Sequence, residues 1–311
     1  MRMVVLLSIP LSLAAQAVAL EGEALDAFLR QLEEYGRIHR RMNVPPEHGR
    51  FLWLMTELSG AKSVLEIGAS NGYSSLWIAR GLRRTGGRLI TIEYNKVRGM
   101  EAKENFRKAG FDDIITLYLE DAFKVIPRLK GPFDMVFIDA WKPDYKKFFD
   151  MTFPKVRPGG LILAHNAVAM ANRMRDFLDA IENHPQLITT IVRIGRDGFS
   201  VSYKKRSKDD PARTSRLEAL LRELEQFGRT HPRGNVPPEH GRFLWLMTEL
   251  VGAKRAMEIG TSNGYSSLWI ARGLEHTGGK LVTMEINRHR GREARQNFRR
   301  AGFDKIITLY I

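Results

Sequence analysis

The segment Val64-Leu-Glu-Ile-Gly-Ala-Ser-Asn-Gly-Tyr-Ser74 reads as a short apolar strand, a turn carrying two glycines and the start of a helix. Gly68 and Gly72 allow a backbone path that side chains would block, and Ser74 near the helix start offers a hydroxyl to a carboxylate. Leu89-Ile-Thr-Ile-Glu93 then ends the next strand on an acid, 25 residues beyond Gly68. An acid at that place can hold a ribose diol by two hydrogen bonds. The pairing of a glycine-rich turn with that acid points to an adenosine-containing cofactor.

The remaining charges narrow the choice. Gly-Ala-Ser-Asn-Gly lacks the G-x-G-x-x-G spacing that sets a helix N-terminus against a pyrophosphate. Glu66, just before the first glycine, suits a cationic amino group instead. S-adenosylmethionine carries an ammonium and a carboxylate but no phosphate, so its charges match these positions.

Elements of fixed order must position such residues. The helical period runs through Leu25–Tyr35 and again through Gly49–Leu58. β-rich runs follow at Ser63–Ile67, Leu89–Glu93, Ile114–Leu119, Met135–Ile138 and Leu161–Ala164, each separated from the next by a helix-length stretch. Strands alternating with helices predict an α/β fold, a mostly parallel sheet covered on both faces. Asp197-Gly198 followed by Phe199-Ser-Val-Ser-Tyr203 predicts a late hairpin completing that sheet.

The chain also repeats itself. Asn43-Val-Pro-Pro-Glu-His-Gly-Arg-Phe-Leu-Trp-Leu-Met-Thr-Glu-Leu58 recurs unchanged as Asn235 to Leu250, and Ser70 to Leu82 returns as Ser262 to Leu274. The second copy stops after the third strand. Lys204-Lys-Arg-Ser-Lys-Asp-Asp-Pro211 has linker composition. The expected organisation is a signal-like segment over 1–19, a complete domain over 20–204, a linker over 205–212 and a truncated second domain over 213–311.

Composition excludes some classes. Of the 311 residues, 43% are hydrophobic and 27% charged, ordinary for a globular chain, and cysteine is absent. Disulfides, zinc-thiolate sites and thiol nucleophiles are therefore out. The net charge of +14 raises nucleic acid as a partner. However, the densest runs, Lys204–Lys208 and the arginines 288, 290, 292, 295, 299 and 300, carry only Phe298 among them and not the interleaved aromatics on which successive bases would stack. A solvated basic surface is the expectation.

At the N-terminus Met1-Arg2-Met3 precedes an apolar stretch from Val4 to Val18 and an Ala17-Val18-Ala19 site before the acidic Glu21 and Glu23, the pattern of a secretory signal. That predicts an exported or membrane-anchored protein, with membrane contact only through this segment. The alternative is a cytoplasmic protein with an apolar N-terminal helix, since S-adenosylmethionine is made in the cytoplasm.

On five segments the chain resembles the catechol and caffeoyl-CoA type O-methyltransferases over residues 25–204: Met42-Asn-Val44, Val64–Ser74, Leu89–Asn95, Phe133-Asp-Met-Val-Phe-Ile-Asp-Ala-Trp-Lys142 and Gly159-Gly-Leu-Ile-Leu-Ala-His-Asn166. The resemblance implies a Rossmann-like class I methyltransferase that uses S-adenosylmethionine. It implies cofactor contacts at Val44, Glu66, Gly68, Ser74, Glu93, Ala122 and Asp139, metal ligands at Asp139 and Asn166, and a general base at Lys142. The chemistry is consistent. These residues follow the C-terminal ends of strands, where open α/β sheets bind ligands, and methyl transfer from a sulfonium needs an aligned, deprotonated oxygen. Trp141 is placed to wall the acceptor slot or simply to pack.

His165 departs from the family, which has an aspartate there as third metal ligand. Imidazole disfavours Mg and is accepted by Mn, Fe, Co, Ni or Zn. An altered metal preference, a weakened metal dependence and a histidine base all stay open. Leu187–Arg193, where the catechol enzymes carry an acid that orients the second hydroxyl, has no carboxylate.

The expected function is methyl transfer to a hydroxyl of a small phenolic or catechol-like acceptor, metal-assisted. The alternatives are methylation of a tRNA base hydroxyl and a non-catalytic, cofactor-binding assembly protein. The truncated copy lacks counterparts of Asp139, Lys142 and Asn166. Its strand at Ala256–Ile259 has an open edge, expected to be covered by the same strand of a second chain in a homodimer or by docking onto the first copy.

Overall fold

A computed structural model describes residues 19–206 and 210–311. The signal-like stretch expected over 1–19 falls outside them except for Ala19. No helix among the described residues is long and apolar enough to cross a membrane.

The first copy runs α1 (Gly22–His39), α2 (Pro46–Leu58), β1 (Ser63–Ile67), α3 (Tyr73–Thr85), β2 (Arg88–Ile92), α4 (Lys96–Ala109), β3 (Ile115–Tyr118), α5 (Ala122–Arg128), β4 (Phe133–Ile138), α6 (Tyr145–Thr152), β5 (Val156–His165), α7 (Arg175–Glu182), β6 (Leu187–Ile194) and β7 (Asp197–Lys204). The second runs α8 (Pro211–Thr230), α9 (Pro238–Leu250), β8 (Arg255–Ile259), α10 (Tyr265–Thr277), β9 (Lys280–Met284), α11 (Arg288–Arg300) and β10 (Ile307–Tyr310). Local chemistry sets several ends. Pro46 opens α2, where its missing N–H is no loss. The Asn95 side chain caps α4 by accepting from the Arg98 N–H at 3.1 Å. Asp210 caps α8 and Pro211 is its first residue, so this helix begins inside the stretch read as linker.

Seven strands form one sheet in the order β3-β2-β1-β4-β5-β7-β6. All neighbours run parallel except β5–β7 and β7–β6, the expected α/β architecture. Alternate side chains serve opposite faces. Val64, Leu89, Met135, Phe137 and Leu161 pack towards α1–α4, while Leu65, Ile67, Ile92, Val136 and Ile138 pack towards α5–α7. The late hairpin is present, but its turn lies two residues earlier than the Asp197-Gly198 pair. Ile194 pairs with Asp197, and Gly195 takes a positive φ of 62° between them. Gly198 is a strand residue kept small by the Val192 carbonyl opposite.

The second copy builds a three-stranded parallel sheet, β10-β9-β8. It docks onto the first copy through α9, which lies against β6 and β5. The Thr190 hydroxyl donates to the Glu239 carbonyl at 2.9 Å across that junction. Docking onto the first copy was one of the two expected covers, but it uses a helix face. The outer edge of β8 pairs with nothing among the described residues, and Met257 and Ile259 stay 67% and 80% exposed.

Helices α2 and α9 have the same sequence and bury different faces. Leu54 is 50% exposed, whereas its counterpart Leu246 is fully buried, and Leu58 and Leu250 differ in the same sense. The pair supplies its own control. Leu246→Ala should destabilise the chain by about 2–5 kcal/mol, while Leu54→Ala should stay within about 0.5 kcal/mol. Equal shifts of the two variants in denaturant unfolding would contradict a docked second copy.

Candidate functional site

The C-terminal ends of β1, β2, β4 and β5 bring the predicted residues to one edge of the sheet. Gly68, at φ 100°, begins the turn after β1. A Cβ there would collide with the Asp139 carbonyl, so only glycine lets the turn and the β4 end meet. The Asp139 N–H donates to Ile67 O at 2.9 Å and the Gly68 N–H to Ile92 O at 2.9 Å, which locks three strand ends together.

Glu93 holds that turn from the β2 side. Its Oε2 accepts from the Ser70 N–H at 2.7 Å and its Oε1 from the Asn95 N–H at 2.8 Å. The second copy repeats both contacts with Glu285, at 2.6 Å to Ser262 and 2.8 Å to Asn287. Gly72 carries the chain into α3 with φ 86°. Val44 is buried at the start of α2, and Ala122 opens α5, capped by Asp121.

Glu66 is placed differently from an open ammonium partner. It is fully buried, accepting from Ser74 Oγ at 2.6 Å, Thr91 Oγ1 at 2.6 Å and the Ser75 hydroxyl. Burial pushes its carboxyl up to about 7, with Ser74, Ser75 and Thr91 opposing the shift and Asp139 adding to it. Glu66 thus ties β1 to β2 and α3 and fixes the Ser74 hydroxyl.

Asp139 is the hub of the second cluster. Its Oδ1 accepts from Lys142 Nζ at 2.8 Å and its Oδ2 lies 3.1 Å from His165 Nδ1. Burial works to raise the Asp139 carboxyl, but the His165 ring and the Lys142 ammonium outweigh it and hold it well below the usual carboxylate range. Lys142 Nζ also reaches Tyr145 OH at 2.8 Å and Ala140 O at 3.3 Å, so all three of its N–H groups have acceptors. Burial and the Asp139 charge push the Tyr145 hydroxyl well above its ordinary value, so it stays a neutral donor and acceptor. Asn166, at φ 61°, donates through Nδ2 to Asp197 Oδ2 at 2.6 Å.

Among the described residues no group of three or more His, Cys, Asp or Glu side chains is arranged to hold a metal. The set present is one carboxylate, one imidazole and one amide. Asp139 and His165 are adjacent at the ends of neighbouring strands with a nitrogen and an oxygen facing each other. A donor pair of that chemistry fits a divalent ion that accepts imidazole better than it fits Mg.

Two residues of the cluster escape a reading of the sequence. His48, from the first turn of α2, places Nδ1 2.7 Å from His165 Nε2 and Nε2 3.0 Å from Ile194 O. It sits inside a repeated apolar motif, and nothing in that motif marks it. Asp197 was read as half of a turn signal, yet its carboxylate meets Asn166, just past the acid-free stretch Leu187–Arg193. Trp141 is 63% exposed at the rim, with the Arg173 guanidinium 5.7 Å from its ring centroid.

The profile of the family described as O-methyltransferase matches residues 19–193 and 211–311, that is, both copies. A catechol O-methyltransferase of Niastella koreensis is 40% identical over 152 residues, covering 48% of this chain and 67% of that protein. A catechol O-methyltransferase of Mycobacterium tuberculosis is 33% identical over 178 residues, covering 52% of this chain and 80% of that one. Among solved structures, the O-methyltransferase from Bacillus cereus in complex with SAH superposes with a TM-score of 0.54 at 28% identity, over 58% of this chain and 91% of that one. An O-methyltransferase involved in tomaymycin synthesis from Streptomyces achromogenes, in complex with SAM, gives 0.53 at 28% identity, over 61% and 92%.

The raised Glu66 has a consequence for stability. Between its ordinary value of 4.5 and about 7, the folded chain keeps a proton that the unfolded chain loses, so this group's contribution is full below that window and is lost as pH rises through it. Urea unfolding from pH 4 to 8 should show the wild type losing stability relative to Glu66→Gln across that window and levelling above it. A pH-independent difference would remove the buried proton.

Proposed function

Because the chain belongs to the O-methyltransferase family, we propose that its first copy transfers a methyl group from S-adenosylmethionine to a hydroxyl of a small phenolic or catechol-like acceptor, assisted by a divalent ion. The observation that carries this is the direct contact between the glycine turn at Gly68 and the Asp139 end of β4. It sets the cofactor turn beside the acid cluster, and an in-line transfer requires donor and acceptor atoms in near contact. The SAH and SAM held by the Bacillus and Streptomyces structures support the donor. The two catechol enzymes support the acceptor class.

S-adenosylmethionine supplies a methyl on a sulfonium, and a divalent ion supplies Lewis acidity that lowers the acceptor hydroxyl's pKa. The rest falls to the chain. Glu93 and the Gly68 turn hold the nucleoside, with Val44, Ala122 and Ser74 around it, and Glu66 acts through Ser74. Asp139, His165 and Asn166 would hold the ion. The exposed Trp141 ring gives an aromatic acceptor a face to lie against, and Asp197 fixes the Asn166 amide. Lys142, anchored on Asp139, takes the acceptor's proton at Nζ after giving one of its own protons to solvent.

Mass spectrometry of a reaction with labelled methyl donor and mixed hydroxylated acceptors, run metal-free and with Mg or Mn, tests the reading. A monomethylated catechol is expected, and SAH binding without product on any hydroxylated acceptor would refute it. Lys142→Ala should lower turnover by about a hundredfold or more and leave SAH affinity nearly unchanged. Parallel loss of both would make Lys142 a structural residue.

A further inference from the structure

His48 and His165 form a buried hydrogen-bonded chain that ends on Asp139. The chain runs Ile194 O, His48, His165, Asp139, with contacts of 3.0, 2.7 and 3.1 Å. Both rings are buried, and Phe199 packs against each with ring centroids 5.1 Å apart.

The order of donors is fixed from one end. A carbonyl only accepts, so His48 Nε2 carries a hydrogen towards Ile194 O. A neutral His48 then has a bare Nδ1, which can only accept, and His165 Nε2 must donate to it. The position left on His165 is Nδ1, which faces Asp139 Oδ2 at 3.1 Å, where a proton pairs the two groups and a bound ion would take that proton's place.

We infer that His48 is a positioning residue for a divalent-ion site, setting the tautomer of His165 so that its Nδ1 lone pair and the Asp139 carboxylate present a paired nitrogen and oxygen donor to an ion that accepts imidazole. The inference rests on the metal-assisted reading above, and it adds a residue outside the three ligands. Ligating histidines are oriented by the partner of their other ring nitrogen, and loss of such a partner weakens metal affinity by about 10–100-fold. Here the partner is a second imidazole, itself anchored on a strand carbonyl. Its counterpart in the second copy shows that the arrangement belongs to the site and not to the motif. His240 occupies the same place in an identical helix and is exposed.

The experiment titrates Mn, Co and Mg into the chelator-treated full chain by calorimetry. One equivalent of Mn or Co should bind, each more tightly than Mg. His48→Ala should weaken Mn and Co binding by about 10–100-fold. His48→Gln, whose amide both accepts and donates, should recover most of that loss. Nitrogen-15 NMR of wild-type histidines loaded with a diamagnetic Zn ion reads the tautomers without any variant, and both rings should be Nε2–H. No divalent ion bound by the wild type, equal affinity in His48→Ala, equal losses in the two variants, or an Nδ1–H His165 in the loaded protein would each overturn the inference. A wild type that binds the ion and SAH yet methylates nothing would refute the function and leave this assignment standing.

Discussion

The constraint on which the site depends is a buried carboxylate that cannot stay unpaired. Asp139 closes β4 at the centre of the sheet edge, and an isolated charge there would be prohibitively expensive. Lys142 Nζ at 2.8 Å and the His165 ring at 3.1 Å compensate it. Each compensation draws in a further element. Lys142 brings Tyr145 and α6, while His165 brings His48 of α2 and, through it, the end of β6. Breaking one partner of such a network strands the other charge, so the cluster holds as a unit.

The cofactor turn follows the same logic with backbone groups. Glu93 satisfies the N–H groups of Ser70 and Asn95, and Glu66 is satisfied by three hydroxyls. The second copy reproduces both acids' contacts, Glu285 with Ser262 and Asn287 and Glu258 with Ser266, Ser267 and Thr283. The turn is thus a local structure that its own residues specify. Among the described residues no strand end like that of β4 stands against the second copy's turn. At Gly260 a Cβ would meet nothing, whereas at Gly68 it would strike Asp139.

The repeat separates what a helix encodes from what its surroundings impose. In α2 the face with His48, Leu52 and Met55 is buried on the sheet of its own copy. In α9 that face is partly uncovered, and Trp245, Leu246 and Leu250 are buried instead against the first copy. An amphipathic sequence with two apolar faces permits either choice, and the available partner surface makes it.

The sequence by itself determined the parallel sheet, the positions of its first five strands, the repeat, and the placing of Gly68, Glu93, Asp139 and Asn166 just past strand ends. Each of these is a matter of periodicity or of short-range spacing along the chain. Tertiary structure alone decided which groups face one another across long separations. His48 meets His165 across 117 residues, Asp197 leaves its turn to hold Asn166, Glu66 turns inward to hydroxyls, and the second copy docks by a helix face while its strand edge stays open. Those outcomes depend on pairing buried charges and covering apolar surface once the chain has closed on itself, and no local pattern carries that information.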